Sequence, residues 1–333
     1  MTPAAPAERL ASGDAGLNRR AWTLVEELMR EDGERYGVRA RTLGNGALVV
    51  DAGVEAPGGY DAGWLMSRIC MADLADIEGA YLTLGELSLP GLVVRADRPA
   101  LPCLASQYAG WAIQAGAYFA MGSGPLRAVA RVERELFEKL GYAESADASA
   151  RSVLVLETRE LPGEDVVEWV SERSGVLPDR LAFVVAPTAS LAGGVQISAR
   201  VLETGLHKME KLGFDVTRVR SGFGSVPLAP VAKNDLRAIG RTNDCILYGG
   251  RAAYAVTGDD AELEDLVQRV PSSASSDYGT PFYEIFKRYG GDFYKIDPLL
   301  FSPAEVALTN LASGRTFRAG AMNVGVLESS LFG

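Results

Sequence analysis

The sequence predicts an α+β protein made of two mixed α/β domains. Helical and strand-like periodicities follow one another along the chain without a regular βαβ repeat. With 333 residues, 47% of them hydrophobic and 23% charged, the chain can bury a substantial core and is long enough for two domains. The strongest compositional break is AESADASA at 143–150, which sets an N-terminal α+β domain at 1–150 against a C-terminal one at 151–333; the same segment also reads as a long loop. Residues 1–17, rich in Ala, Pro, Ser and Gly, are expected to form a flexible arm.

Residues 18–36 carry amphipathic helical spacing with Asn18 as the cap, and VRARTLGNGALVVDAG reads as a hairpin turning at Asn45-Gly46. PGGYDAG leads into a helix reaching about Ala75, followed by short strands around 79–87, 92–95 and 102–107. Pro125 opens a helix that runs to about Leu140 and stops at Gly141. Strand 152–157, helix 162–173 and the apolar strand LAFVVA then precede residues 187–212, PTASLAGGVQISARVLETGLHKMEKL, which read as one helix. Thr188 or Ser190 caps its start and Gly213 takes the left-handed position after its end. Beyond it come strand 216–221, a turn-rich stretch in which GRTNDCILYGG is a loop before a strand at 245–257, helices 260–269 and 281–289, and an antiparallel pair around Ser313-Gly314.

The 187–212 helix is the most informative stretch. At about 100° per residue, Leu191, Val195, Ala199, Leu202, Leu206 and Met209 share a core stripe, and Gln196, Arg200, Glu203, His207 and Glu210 share the stripe beside it. An Arg and a Glu three apart are ordinarily a surface ion pair. Ala192, Gly193 and Gly194 allow another backbone or a flat ligand to approach. In GSGPLRA, the backbone N–H groups of Gly122, Ser123 and Gly124, helped by Arg127, suit an anion or a carbonyl, or else make only a tight strand-to-helix turn. Gly58 and Gly59 of PGGYDAG likewise suit a close backbone approach or a simple turn.

VEAPGGYDAG (54–63), ICMADLA (69–75), GSGPLRA (122–128), LVLET (154–158), APTASLAGGVQISARVLETGLHKM (186–209), GRTNDCILYGG (240–250) and FRAGAMN (317–323) resemble, in the same order, blocks of the methenyltetrahydromethanopterin cyclohydrolases. The resemblance implies two domains side by side with a ligand cleft between them, and a homotrimer. It also implies that the Arg and Glu of the ARVxET helix, here Arg200 and Glu203, act at the reacting carbon. The implied reaction is hydrolysis of 5,10-methenyltetrahydromethanopterin to the 5-formyl form in one-carbon metabolism.

A methenyl-pterin is a delocalised amidinium cation whose bridging carbon is already electrophilic. The protein must supply a positioned water, a base and a dry slot for the ring, so neither a metal nor a further cofactor is expected. Glu203 is the expected base; Arg200, which keeps its proton, orients that carboxylate or holds a pterin carbonyl. Gln196 and His207 share the face and are expected to contact the substrate, His207 as a direct participant or a supporting donor. Arg241, Asn243 and Asp244 offer groups to read the alternating donors and acceptors of the pyrimidine edge. The alternative is a non-catalytic pterin or phospho-ligand binding protein on the same scaffold, against which the retention of both Arg200 and Glu203 weighs. A related formyl- or acyl-handling enzyme is a third possibility.

Composition narrows the rest. A net charge of −10 with no Lys/Arg-rich run disfavours nucleic acid. No apolar run approaches eighteen residues and no apolar core follows N-terminal positive charges, so a cytoplasmic protein is expected. The three cysteines, Cys70, Cys103 and Cys245, lie far apart and read as small buried hydrophobes, and with a single histidine they make no common zinc site. No GxSxG elbow accompanies that histidine.

Overall fold

A computed structural model describes residues 16–142, 150–290 and 295–333. Most of the expected N-terminal arm and of the 143–150 segment lie outside the described residues. The strands are β1 (Arg39–Thr42), β2 (Leu48–Asp51), β3 (Asp76–Leu84), β4 (Leu87–Asp97), β5 (Trp111–Ala115), β6 (Tyr118–Ser123), β7 (Ser152–Glu157), β8 (Leu181–Ala186), β9 (Val219–Pro227), β10 (Arg251–Val256), β11 (Glu305–Asn310) and β12 (Thr316–Gly320). They form two six-stranded mixed sheets, ordered β1-β2-β8-β7-β6-β5 and β12-β11-β10-β9-β4-β3. This is an α+β fold with two sheet-containing domains. Each sheet draws strands from both sides of residue 150, so a cut there does not separate them: β3 and β4 belong with β9–β12, and β7 and β8 with β1 and β2.

The two sheets differ in how they bury side chains. In the first, β2, β8 and β7 run parallel and are covered on both faces: Val153, Val155, Ala182 and Val184 point into one core, and Leu154, Leu156, Phe183 and Val185 into another. Two-sided burial is why VLVL and LAFVVA read as unbroken apolar runs. In the second, inward Leu92, Val94 and Ala96 alternate with outward Arg95 and Asp97, as expected of a sheet with one covered face. Among the described residues no helix is long and apolar enough to cross a membrane.

Strands 152–157 and 181–186 and helix 260–269 fall where the periodicity places them. Several other elements differ, each for a local reason. The 18–36 segment is an α-helix at Leu17–Leu24 followed by a π-helical turn at Val25–Arg30. Asn18 lies inside that helix and is no cap; it is buried, donating to the Pro125 carbonyl (3.0 Å) and accepting from the Val153 N–H (3.0 Å). The helix after PGGYDAG, Tyr60–Cys70, stops early because Ala72 and Asp73 turn left-handed. Residues 102–107 are not a strand but part of a π-helical stretch, Ala100–Gln107. The helix after Pro125 breaks at Arg131, whose φ is 49°. GRTNDCILYGG is not a loop: it completes the helix Asp235–Gly249, capped by the Asn234 side chain, and only Arg251–Val256 is strand. The β5–β6 hairpin and the C-terminal helix Val324–Phe332 were not anticipated.

The most consequential difference is at the centre. The 187–212 segment is two helices, Leu191–Ser198 and Val201–Lys211, broken at Ala199 and Arg200. The first bridges the two cores, with Ala192 in one and Val195 in the other, and the second belongs to the second sheet. The first lies against the Tyr60–Cys70 helix through Gly63, where any side chain would come within 2.6 Å of the Val195 Cβ, and buries Ala192 in the first sheet's core. The second lies on β9 and β10 and buries Val201, Leu202, Leu206 and Met209 in the second sheet's core. At the break the Arg200 N–H reaches back only three residues, to Ile197 (3.1 Å), and Arg200 takes φ −80° and ψ 5°. A regular helix would carry one axis through both layers.

The second helix sits close because it meets the sheet glycine to side chain. Side chains at Gly222 and Gly224 would press on Leu202 and Val201, and one at Gly205 would overlap the Tyr254 hydroxyl, which donates to the Leu202 carbonyl (2.9 Å). Gly205→Ala gains up to about 1 kcal/mol of helix propensity but overpacks a buried contact at about 1–3 kcal/mol, so it is expected to lower the thermal midpoint by several degrees. An unchanged midpoint in calorimetry would show that the helix has room to shift off the sheet.

Candidate active site

The break exposes two charged side chains of one turn to a common interior. Arg200 is 7% and Glu203 4% exposed, and Arg200 Nη1 stands 3.8 Å from Glu203 Oε2. That separation is an ion pair without a hydrogen bond. The guanidinium is held instead by uncharged acceptors. Its Nε and Nη2 donate to Gln196 Oε1 (3.0 and 2.6 Å), Nη1 to the Gln107 carbonyl (2.5 Å), and Nη2 also to Ser123 Oγ (3.1 Å). Arg200 is therefore fixed in place without neutralising a carboxylate at contact.

Glu203 feels the consequence. Loss of hydration pushes its carboxyl up to about 7, against the opposing pull of Arg200 and, less strongly, Arg127. A buried carboxyl poised there is ionised in roughly half of the molecules at neutral pH and can both take and return a proton.

Other elements close on this pair. Cys70, the last residue of the Tyr60–Cys70 helix, sets its thiol 3.3 Å from Ser123 Oγ, and burial raises that thiol despite Arg200 nearby. His207, one turn after Glu203, stacks on Tyr108 with ring centroids 4.6 Å apart. Loss of hydration and then Lys211 push His207 down to about 4, so the imidazole is neutral at pH 7, and its buried Nε2 has no partner among the described residues. Glu157 ends β7 and accepts from Thr188 just beyond β8; lost hydration raises it, with Arg200 opposing. Glu157 and Thr188 stand at the carboxyl ends of the parallel strands β7 and β8, where open α/β sheets offer ligand crevices.

The structure thus brings together Arg200, Glu203, Gln196, His207 and Ser123. The GSGP turn contributes a hydroxyl, not an N–H nest, since the Gly124 N–H is taken by the Ser106 carbonyl (2.8 Å). Arg127 is fully buried and committed to Glu133 (2.6 Å) and the carbonyls of Leu104 and Ser106, acting on Glu203 only through its charge. Gly58 and Gly59 lie at the far end of the eleven-residue helix from Cys70, about 16 Å away at 1.5 Å per residue. Asn243 donates to Ile239 in its own helix. Asp244 turns to the Phe282 N–H and Ser330, and Arg241 lies on the surface with Tyr283 and Ser329, so neither faces the Arg200 group. Gln107, Tyr108, Cys70 and Glu157 were missed as site residues. ICMADLA and LVLET had marked Cys70 and Glu157 as parts of blocks, but nothing in their spacing pointed inward. Among the described residues no group of three or more His, Cys, Asp and Glu gathers to hold a metal ion.

Comparison with known proteins shows the family. Residues 16–331 match the family model described as Cyclohydrolase (MCH). The chain is 44% identical over 315 residues to methenyltetrahydromethanopterin cyclohydrolase of Methanococcoides burtonii, covering 94% of this chain and 97% of the relative. It is 45% identical to the protein of that name from Methylobacillus flagellatus, covering 92% of each, and 42% identical to that of Methanocaldococcus jannaschii, covering 95% and 98%. A match of this extent makes the chain a member of the methenyltetrahydromethanopterin cyclohydrolase family.

Proposed function

We propose that the protein hydrolyses 5,10-methenyltetrahydromethanopterin to 5-formyltetrahydromethanopterin, with Glu203 as general base. The observation that carries this is a buried carboxyl poised at about 7 beside a guanidinium that does not hydrogen-bond to it. A cationic amidinium favours a site holding a carboxylate, and its carbon needs no Lewis acid, so the reaction runs without metal or cofactor.

The water oxygen bonds to the methenyl carbon, the C=N π pair moves onto nitrogen, and one water proton passes to Glu203. Glu203 returns that proton to N10. The C–N10 bond then breaks as the carbinol O–H gives its proton to Glu203 and the formyl C=O forms. One proton leaves to solvent, matching the lost positive charge. Arg200 cannot lose its proton; it holds the surrounding carbonyls and hydroxyl in place and keeps Glu203 from rising further. Gln196 positions Arg200, and neutral His207 with Tyr108 forms an aromatic wall for a flat ring. The same reading carries a cytoplasmic location, and a homotrimer that rests on the family resemblance. A binding protein without chemistry would have no use for the cost of holding Glu203 dry.

Because kcat/KM reports the free enzyme, its logarithm is expected to rise with pH at slope one and level off near pH 7, following Glu203. A plateau already reached at pH 5 would remove Glu203 as the base.

Glu203→Gln is expected to lower kcat by about a hundredfold or more. The same change is expected to stabilise the fold, by an amount that depends on pH. Glu203 is raised from 4.5 to about 7 on folding, so its penalty is absent below 4.5, grows between the two values and is complete above 7, at roughly 3 kcal/mol. Thermal unfolding at pH 8 and pH 4.5 checks this: the Gln variant melts higher at pH 8, and the gain disappears at the lower pH.

Arg200→Lys keeps the charge but loses the planar fork that meets Gln196, Gln107 and Ser123. Turnover is expected to fall at least about tenfold. Wild-type turnover in that variant would mean that only the charge matters.

A further inference from the structure

Gln107 is fully buried and two of its polar groups are accounted for in unusual company. Its backbone carbonyl accepts from Arg200 Nη1 (2.5 Å) and from the Cys70 thiol (3.8 Å), and its Nε2 donates to the Ala199 carbonyl (3.2 Å) at the helix break. Its Oε1 is buried and has no partner among the described residues. The orientation of the amide is not arbitrary. Exchanging oxygen and nitrogen would set Oε1 against the Ala199 carbonyl, so the donor must face the break and the acceptor must face away from it.

The backbone carbonyl of Gln107 also has a defined neighbourhood. Arg200 Nη1 is shared between the Gln107 carbonyl and Glu203 Oε2, at 2.5 and 3.8 Å, which brings Gln107 and Glu203 to the same guanidinium nitrogen. Ala199, which holds the amide, lies one helical turn before Glu203. Buried acceptors are rarely left dry, and one left so on a residue whose backbone meets the Arg200 guanidinium suits a donor that arrives with the reaction.

We propose that Gln107 orients the attacking water, resting on the cyclohydrolase reading above. For a water to attack an amidinium carbon, one lone pair must face the carbon while both hydrogens point elsewhere. Glu203 takes one O–H as base; Gln107 Oε1 accepts the other and holds it through the attack, where it remains as the carbinol O–H until Glu203 removes it. A neutral acceptor is suited to this second place. A second carboxylate there would compete for the proton and raise Glu203 further.

The test uses steady-state kinetics of the full-length protein on methenyltetrahydromethanopterin, with Gln107→Met to remove the acceptor at similar volume and Gln107→Glu to replace it by a charged one. Gln107→Met is expected to lower kcat about thirtyfold with KM within about threefold, and to leave the midpoint of the kcat/KM pH profile where it is. Gln107→Glu is expected to move that midpoint upward by at least about half a pH unit, a shift that a packing role would not produce. Three results overturn the proposal: wild-type kcat with raised KM in the Met variant, which would make the amide a reader of the pterin ring; wild-type kcat with a lowered melting temperature, which would make it packing; and an unmoved pH midpoint in the Glu variant. A wild-type chain inert toward the substrate would overturn the proposed function itself, a result distinct from all three.

Discussion

The structure turns on a carboxylate kept dry next to an arginine that does not neutralise it at contact. Glu203 loses its hydration to the packed surroundings, and Arg200, 3.8 Å away, offsets only part of that loss because its donors are turned to Gln196, the Gln107 carbonyl and Ser123. Had the guanidinium met the carboxylate in a bidentate fork, Glu203 would be an ordinary low-lying acid and a poor base at neutral pH. The arrangement costs stability and leaves Glu203 able to take and return a proton near neutral pH, as the proposed role requires.

Nearly every other feature serves that arrangement. The helix break at Ala199-Arg200 lets the first helix lie along the Tyr60–Cys70 helix, with Ala192 in one core and Val195 in the other, and the next lie on the second sheet, so that the Arg-Glu turn falls where the two cores meet. Gly205, Gly222 and Gly224 bring the second helix down onto β9 and β10, while Gly63 brings the first against the helix ending at Cys70. Arg127, buried and tied to Glu133, adds positive potential from a distance without entering the contact.

The fold class was legible because β7 and β8 are apolar on both faces and the hairpins carry turn residues such as Asn45-Gly46, features set by local chemistry. The Arg200, Glu203, Gln196 and His207 face was legible for the same reason, since these positions, three in two short helices and Arg200 at the break between them, keep much of their helical phase. The break itself was not, because neither Ala199 nor Arg200 signals a turn; it arises from the competing axes of two sheets. GRTNDCILYGG was misread as a loop because Gly240 and the Asn-Asp pair weaken helix propensity that burial of Cys245, Ile246 and Leu247 then restores. Gln107 was invisible from spacing, since a π-helical stretch has no pattern that a period of 3.6 detects.

The central claim concerns the proton affinity of one group, and the most direct measurement is titration of the Glu203 carboxyl itself. Carbon-13 NMR of glutamate-labelled, ligand-free protein, with the resonance assigned by its loss in the Gln variant, reads that affinity without turnover. The account predicts a midpoint near 7. A midpoint at or below the ordinary 4.5 of a glutamate would contradict it, showing that Arg200 or solvent neutralises the carboxylate and that the base lies elsewhere.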